Sequence, residues 1–325
     1  AVHDTTLGPA LGGLRFLEYP SEDDALFDVV RLARGMTRKS AVADTGLGGG
    51  KSVIIGNPET DKSPELLRAM GRFVDSFGGS YITAEDMNIS IEDLRYVRES
   101  TPHVAGLSRE EGGSGNPSPY TAYGCVVGIE AAAKHRYGSP SVSGKRILIQ
   151  GVGAVGGEMA RLLKERGADV IICDIKDDRV SALCDEFGYR SVAEENHLEE
   201  ACDIYAPCAR GAGINDETIP KLTCEIVAGC ANNMLLEPRH GDELSQRGIL
   251  YAPDYVVNAA GIINVSVESH PGGYDEEVAM GKIHQIADNL EEVFQLAEER
   301  SIGTHTAAQL LAELRIEKAK AQQPS

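Results

Sequence analysis

Arg146-Ile147-Leu148-Ile149-Gln150 is an apolar run of strand character, and Gly151-Val152-Gly153-Ala154-Val155-Gly156 follows it directly. The glycines open a segment carrying Val155, Met159, Leu162 and Leu163, and a second apolar run, Asp169 to Cys173, ends in Asp174. Strand, glycine turn, helix, strand and terminal acid in succession restrict the chain to an α/β fold, because parallel neighbouring strands need a crossover helix. The backbone around Gly151 and Gly153 can approach a pyrophosphate at the helix N-terminus, with Ala154, Val155 and Gly156 completing the turn. Asp174 can accept hydrogen bonds from ribose hydroxyls and would repel a 2′-phosphate, so the pattern predicts NAD in preference to NADP. Strand-like runs at 203–207, 225–229 and 248–251 extend this unit into a Rossmann-like, doubly wound parallel sheet.

A second glycine-rich stretch, Gly46-Leu47-Gly48-Gly49-Gly50-Lys51-Ser52, lies far upstream. Three consecutive glycines forgo side-chain packing, which predicts that something approaches their backbone closely. They deliver Lys51 into a crowded place, where desolvation lowers an ammonium pKa. Gly50-Lys51-Ser52 has the ending of a phosphate loop, but that motif requires a glycine where Thr45 stands, so a phosphate-loop NTPase ranks below the dinucleotide reading.

The remaining pattern assigns elements around these two features. Ala1-Val2-His3 reads as a strand fragment. Ser21 caps a helix with Asp24 three residues on, and Leu26, Val29, Val30 and Ala33 recur at helical spacing. Residues 51–55 form a short strand, 65–77 a helix, 79–83 a strand and 91–100 a helix. Asp86 falls just past the 79–83 strand, where carboxylates often face a binding site. The Gly/Ser/Pro-rich run 112–119 predicts a boundary. It separates a split N-terminal α/β substrate domain, 1–118, completed by C-terminal helices at about 285–325, from an NAD-binding domain at 119–284.

Composition excludes several classes. The net charge of −19 argues against nucleic acid or an anionic membrane surface as partner. No apolar run approaches the roughly 20 residues of a membrane span, and no signal peptide is visible. Seven cysteines without a CxxC pair predict reduced thiols in a cytoplasmic protein, and eight histidines without ligand spacing predict no metal.

Outside the dinucleotide fingerprint stand Lys39, Lys51 and Asp86. Two lysines suit a substrate carboxylate and its proton traffic, and an aspartate suits an ammonium that must lose a proton before hydride leaves. The combination points to oxidative deamination of an amino acid. With Gly8-Pro9-Ala10-Leu11-Gly12-Gly13, Met36-Thr37-Arg38-Lys39, Gly48-Gly49-Gly50-Lys51, Thr83-Ala84-Glu85-Asp86, Gly115-Asn116-Pro117-Ser118-Pro119, Ala231-Asn232-Asn233 and 251–258 in order, the chain resembles the glutamate/leucine/phenylalanine/valine dehydrogenase superfamily over almost its whole length.

The resemblance implies that Lys39 binds the substrate α-carboxylate, helped by backbone near Gly12 and Gly13, and that Met36 also contacts the substrate. It implies that Lys51 acts on water adding to the imino acid and that Asp86 takes the ammonium proton. Leu11, Ala84, Ile262 and Val265 would line the side-chain pocket. Thr121, Cys208, Ala209 and Asn233 would contact the cofactor, and Asn258 both cofactor and substrate. The implied ligands are NAD, an amino acid or its 2-oxo acid, and ammonium, and a homo-oligomer is implied. Leu11 stands where a glutamate enzyme places a lysine, so an apolar side chain is expected, each buried CH₂ contributing about 0.8 kcal/mol. Leucine, valine and isoleucine are favoured, with phenylalanine or another aromatic as the alternative. A non-catalytic NAD-binding paralogue is the remaining rival. Ala260, where the family usually has glycine, is a departure that would matter if its backbone required a positive φ.

Overall fold

The computed structural model describes residues 1–209, 211–270 and 272–322. It divides the chain into two compact units, one comprising Ala1–Pro117, Ile262–Ala279 and Ala312 onward, the other Ser118–Gly261 and Met280–Leu311.

The first unit is built on a five-stranded sheet. Its elements are β1 (Val2–Asp4), β2 (Ala10–Leu17), α1 (Glu22–Val42), β3 (Gly48–Gly50), β4 (Ser52–Ile55), α2 (Pro64–Asp75), β5 (Tyr81–Ala84) and α3 (Ile91–Arg98). β2 is central: it pairs in parallel with β3, β4 and β5, and β1 pairs antiparallel with β3. Leu14 and Phe16 of β2 and Tyr81 of β5 pack with Leu67 and Val74 of α2 and Leu94 and Val97 of α3 in one core. Ser21 caps α1 by accepting from the Asp24 amide at 3.1 Å, as its sequence predicts. The buried face of α1 is Ala25, Val29, Ala33 and Thr37, while Leu26 and Val30, assigned to the same apolar stripe, point outward.

The glycine triplet, expected to be approached closely at its backbone, is strand β3, and what approaches it is the chain itself. A Cβ on Gly49 would lie 2.1 Å from the Thr37 amide nitrogen, and one on Gly48 would lie 2.1 Å from the Asp4 carbonyl oxygen. The helix carrying Lys39 is therefore seated on β3 at backbone distance, and β3 ends at Lys51. This arrangement leaves no phosphate-binding loop at Gly50-Lys51-Ser52.

The second unit contains α4 (Ser118–Tyr137), β6 (Arg146–Gln150), α5 (Ala154–Glu165), β7 (Asp169–Cys173), α6 (Asp177–Phe187), β8 (Arg190–Ser191), β9 (Ile204–Pro207), β10 (Ile226–Val227), α7 (Arg239–Gln246), β11 (Leu250–Tyr251) and α8 (Asp254–Val257). It is followed by α9 (Ala260–Ser266), α10 (Glu276–Arg300) and α11 (Thr304–Gln322). Its six strands are parallel in the order β11-β10-β9-β6-β7-β8, a doubly wound sheet with its switch point between β6 and β9. Ala260 is helical with no positive φ, and its methyl fills the space left by Gly124 of α4, whose own Cβ would lie 2.5 Å away. No described helix is long and apolar enough to cross a membrane. All seven cysteines carry free thiols.

Two glycine substitutions should separate crowding from propensity. Gly35→Ala, exposed in the interior of α1 with nothing within 4 Å of its added methyl, should stabilise by about 1 kcal/mol. Gly49→Ala should destabilise by about 1–3 kcal/mol through overpacking against α1. Thermal denaturation of both variants measures the contrast, and a Gly49→Ala melt equal to wild type would refute the packing assigned to β3.

Candidate active site

In the first unit the absence of two methyl groups brings a cation and an anion together. Lys51 sits in the one-residue gap between β3 and β4, and Asp86 lies two residues past β5. Gly12 and Gly13 of β2 run between them. A Cβ on Gly12 would fall 1.7 Å from the Gly50 carbonyl oxygen and 3.2 Å from the Lys51 nitrogen. One on Gly13 would fall 2.5 Å from the Glu85 carbonyl oxygen and 2.7 Å from the Asp86 Cβ. With neither present, the Lys51 Nζ reaches the Asp86 Oδ2 at 2.5 Å. The Lys51 side chain is 8% exposed and that of Asp86 20%, so the pair is largely removed from water while keeping one open side.

Tyr81 supports this arrangement from beneath. Its hydroxyl donates to the Gly12 carbonyl at 2.6 Å and lies 2.8 Å from the Ser52 Oγ. Full burial raises the Tyr81 phenol to about 12, which keeps it a neutral donor. Asn88 occupies the left-handed region at φ 60°, its amide donating to the Phe16 carbonyl at 3.0 Å, so it fixes the turn after Asp86.

Burial pushes the Lys51 ammonium down from its ordinary value; Asp86 opposes that shift and Arg15 adds to it. For Asp86, burial alone would push the carboxyl up. Lys51 and then Arg15 outweigh it, and the group sits below the usual carboxylate range. Neighbouring Glu85 is pushed up by burial and then by Asp86. A base held ionised beside an amine of lowered basicity can take a proton from a bound ammonium and activate water in one place.

The other residues named for this unit lie on α1, β2, β5 and α9. Met36 and Lys39 lie in the last turns of α1, both half-buried. Leu11 is buried on β2, and Ala84 ends β5 in register with Gly13. Ile262 and Val265, three apart on α9, share a helix face. Sequence reasoning missed Arg15, Asp28 and Tyr19. Arg15 donates through Nε to the Asp86 Oδ2 at 3.1 Å and through a terminal nitrogen to the Asp28 Oδ2 at 3.0 Å. A strand places residues two apart on one face, so Arg15 could have been read as sharing the Gly13 face.

The second unit brings Gly151, Gly156, Cys208 and Ala209 together at the switch point. Gly151 follows β6 at φ 96°, and its added Cβ would lie 2.7 Å from the Ala209 Cβ, while the Cys208 amide donates to the Gln150 carbonyl at 2.7 Å. Gly156 is pressed onto the Gly151 carbonyl oxygen, where a Cβ would fall at 2.0 Å. Gly153 is different: its added Cβ would meet only the Arg179 guanidinium, at 4.0 Å, so backbone at the start of α5 (Ala154, Val155) is open to a ligand. Asp174 accepts from the Val152 amide at 2.9 Å, the Lys176 amide at 3.0 Å and Arg179 at 3.3 Å. Burial alone would raise its carboxyl, but these donors hold it below the usual range. Thr121 lies in the first turn of α4, and Asn233 is exposed at φ 50°. The buried Asn258 amide donates to the Asn232 Oδ1 at 2.9 Å and the Cys230 carbonyl at 3.2 Å.

Asp216, His240 and Glu243 meet closely enough to suggest a metal. Arg239 already donates to both carboxylates, and the Glu237 amide donates to the His240 Nδ1 at 3.0 Å. With Nδ1 accepting, a neutral ring carries its proton on Nε2, which faces Asp216 at 3.4 Å. This is an arginine-centred ion cluster.

The family model described as "Glu/Leu/Phe/Val dehydrogenase, dimerisation domain" matches residues 1–103, and "Glutamate/Leucine/Phenylalanine/Valine dehydrogenase" matches 112–190 and 174–323. A leucine dehydrogenase of Geobacillus stearothermophilus is 51% identical, over 98% of this chain and 86% of that protein. An L-tryptophan dehydrogenase of Nostoc punctiforme is 44% identical, over 98% of this chain and 89% of that protein. The crystal structure of L-tryptophan dehydrogenase from that organism superposes with a TM-score of 0.90 at 43% identity, covering 99% of this chain and 92% of that one.

The electrostatics of the first unit predict how Lys51 titrates. Its ammonium should lose its proton below the ordinary 10.5, because burial disfavours the charged form. Asp86→Asn removes the anion that opposes this shift and should lower the value further. NMR of Cε-labelled lysine across pH 7–11 measures both, and a Lys51 value at or above 10.5 would overturn the reading of a desolvated amine.

Proposed function

This chain belongs to the glutamate/leucine/phenylalanine/valine dehydrogenase family, and from that membership we propose that it catalyses the NAD-dependent, reversible deamination of a branched aliphatic L-amino acid. The products are the 2-oxo acid, ammonium and NADH. It is an amino acid dehydrogenase of a family that uses nicotinamide dinucleotides, and the single observation that carries the mechanism is the buried Lys51–Asp86 contact beside Gly12 and Gly13.

The residues at the switch point fit a dinucleotide. Open backbone at Gly153 suits a pyrophosphate, and the ionised Asp174 suits ribose hydroxyls. Asp174 also disfavours a 2′-phosphate, which supports NAD over NADP. Thr121, Cys208, Ala209, Asn233 and Asn258 are assigned to the same ligand. The bound nicotinamide supplies one thing, acceptance of the hydride that leaves the substrate Cα.

The chain's own residues handle charge and protons. Lys39 holds the substrate α-carboxylate against the backbone of Gly12 and Gly13. Asp86, ionised, takes a proton from the substrate ammonium, since only a neutral amine can release hydride from its carbon. Lys51 in its neutral form removes a proton from the water that attacks the resulting imine carbon. It returns that proton to nitrogen and takes the hydroxyl proton as the carbinolamine collapses to 2-oxo acid and ammonia, and the ammonia leaves as ammonium with the proton held on Asp86. Leu11, Met36, Ala84, Ile262 and Val265 form the side-chain pocket. No cation stands at Leu11 to pair with a glutamate side chain, whose burial without a partner is unfavourable. The first unit is assigned to substrate and the second to cofactor. The match of residues 1–103 to a dimerisation domain supports a homo-oligomer, and the free thiols support a cytoplasmic, reducing location.

NAD⁺ reduction at 340 nm with leucine, valine, isoleucine, phenylalanine, tryptophan and glutamate tests the reading. Branched aliphatic substrates should react fastest and glutamate slowest; preference for tryptophan or phenylalanine would overturn the pocket but keep the chemistry. Lys51→Ala and Asp86→Asn should each lower kcat by about 10²–10⁴-fold with NADH affinity within about threefold of wild type. NADH binding without turnover on any amino acid would instead indicate a non-catalytic paralogue.

A further inference from the structure

Arg15 stands two residues beyond Gly13 on β2, with its side chain 15% exposed. Strand alternation puts it on the Gly13 face, which is the face toward Asp86. Its guanidinium reaches two carboxylates at once, the Nε meeting the Asp86 Oδ2 at 3.1 Å and a terminal nitrogen meeting the Asp28 Oδ2 at 3.0 Å. Asp28, on α1, is itself fixed by the Tyr19 hydroxyl at 2.9 Å on Oδ2 and by Arg31 at 2.9 Å on Oδ1. The same Asp86 oxygen that accepts from Arg15 also accepts from Lys51 at 2.5 Å. Tyr19, Asp28, Arg15, Asp86 and Lys51 thus form one continuous chain of hydrogen bonds.

We propose that Arg15 is a positioning residue for amino acid deamination: it anchors Asp86 against Lys51, with Asp28 and Tyr19 holding the guanidinium from behind. The inference rests on the roles proposed above for Lys51 and Asp86. Its physical basis is that the two cations on Asp86 are not equivalent. Lys51 must gain and lose a proton in each turnover, whereas a guanidinium stays charged throughout the accessible pH range. When Lys51 is neutral, Arg15 remains as the counterion of a mostly buried carboxylate, so Asp86 neither takes up a proton from solvent nor swings away. Arg15 also repels the Lys51 ammonium, assisting its deprotonation. Two planar donors directed at two carboxylates fix the guanidinium in a way one ammonium cannot.

Among the described residues, the ionisable groups facing the array include Glu85, Tyr81, Arg31 and the Ala1 ammonium, which donates to the Lys51 carbonyl at 2.7 Å and is pushed down by burial. Glu85 is pushed up by burial and Asp86, and Tyr81 and Tyr19 titrate only near 12. Arg31 stays charged on the far side of Asp28. Lys51, whose neutral form is required, is thus the member expected to set the limb on which the rate rises with pH.

The test is the pH dependence of kcat/KM for the best amino acid substrate between pH 7 and 11. It is read together with NADH binding and the Lys51 NMR titration. Arg15→Met should move this rising limb, and the Lys51 titration with it, upward by about one pH unit. Activity should be lost mainly near neutral pH and partly recovered at high pH, with NADH binding unchanged. Arg15→Lys keeps the charge but cannot bridge both carboxylates, so its limb should stay near wild type while kcat falls roughly tenfold. A uniform fall in rate for Arg15→Met with the limb unmoved would reduce Arg15 to a structural residue and overturn the proposal, as would wild-type behaviour. If Arg15→Met fails to fold, Arg15→Lys decides: an unmoved limb with lowered kcat upholds the proposal, and unchanged kcat overturns it. Failure of the underlying reading looks different, since Asp86→Asn would then retain turnover or the wild type would oxidise no amino acid.

Discussion

The contact between Lys51 and Asp86 is the interaction on which the first unit turns, and it exists because Gly12 and Gly13 have no side chains. Any Cβ on β2 at those positions would strike the Gly50 carbonyl or the Asp86 Cβ. The central strand therefore gives up two side chains so that residues flanking two of its neighbours can meet across it. The same constraint passes outward. β3 is all glycine, which lets α1 settle against it, and α1 carries Lys39 and Asp28. A buried ion pair is a weak source of stability, because desolvation offsets much of the attraction. Here the neighbouring cations hold Asp86 below the usual carboxylate range while burial pushes the Lys51 ammonium down.

The second unit solves a simpler problem by a more local route. Its switch-point features follow from strand order alone: β6 and β9 are paired while their next strands lie on opposite sides, and the segments just past them, Gly151 and Cys208–Ala209, come together there. Glycine has two distinct uses in this turn. At Gly151 and Gly156 it permits internal packing, while at Gly153 it leaves open backbone. Sequence pattern alone does not separate these uses, but the distances do.

Legibility in the sequence tracked how local each feature is. The strand, turn, helix, strand and acid around Gly151–Asp174 lie within one continuous stretch, so periodicity and turn chemistry suffice, and the Ser21 cap was readable for the same reason. The Gly48–Gly50 strand was not, because glycine has no side-chain alternation and its partners, Gly12, Thr37 and Asp4, come from other elements. The α1 stripe was half misassigned: Leu26 and Val30 recur with Val29 and Ala33, yet only the latter two face the sheet. Lys39, Lys51 and Asp86 stood out as residues, but their geometry did not. The Arg15 array draws on β2, α1 and the end of β5, so no window of sequence contains it.

That array also bears on why proton lability should concentrate at one residue. Along Asp28, Arg15, Asp86 and Lys51 the charges alternate in sign, so each inner member is flanked by opposite charge. Burial penalises every charge in the series, but the members differ in what can relieve the penalty. Arg15 cannot release its proton, and both aspartates are held below their ordinary range by the cations beside them. Lys51 is at the end, with Asp86 its only ion-pair partner among the described residues and Arg15 repelling it from beyond. A chain of alternating fixed charges that ends in a buried amine thus directs the least costly protonation change to its terminus.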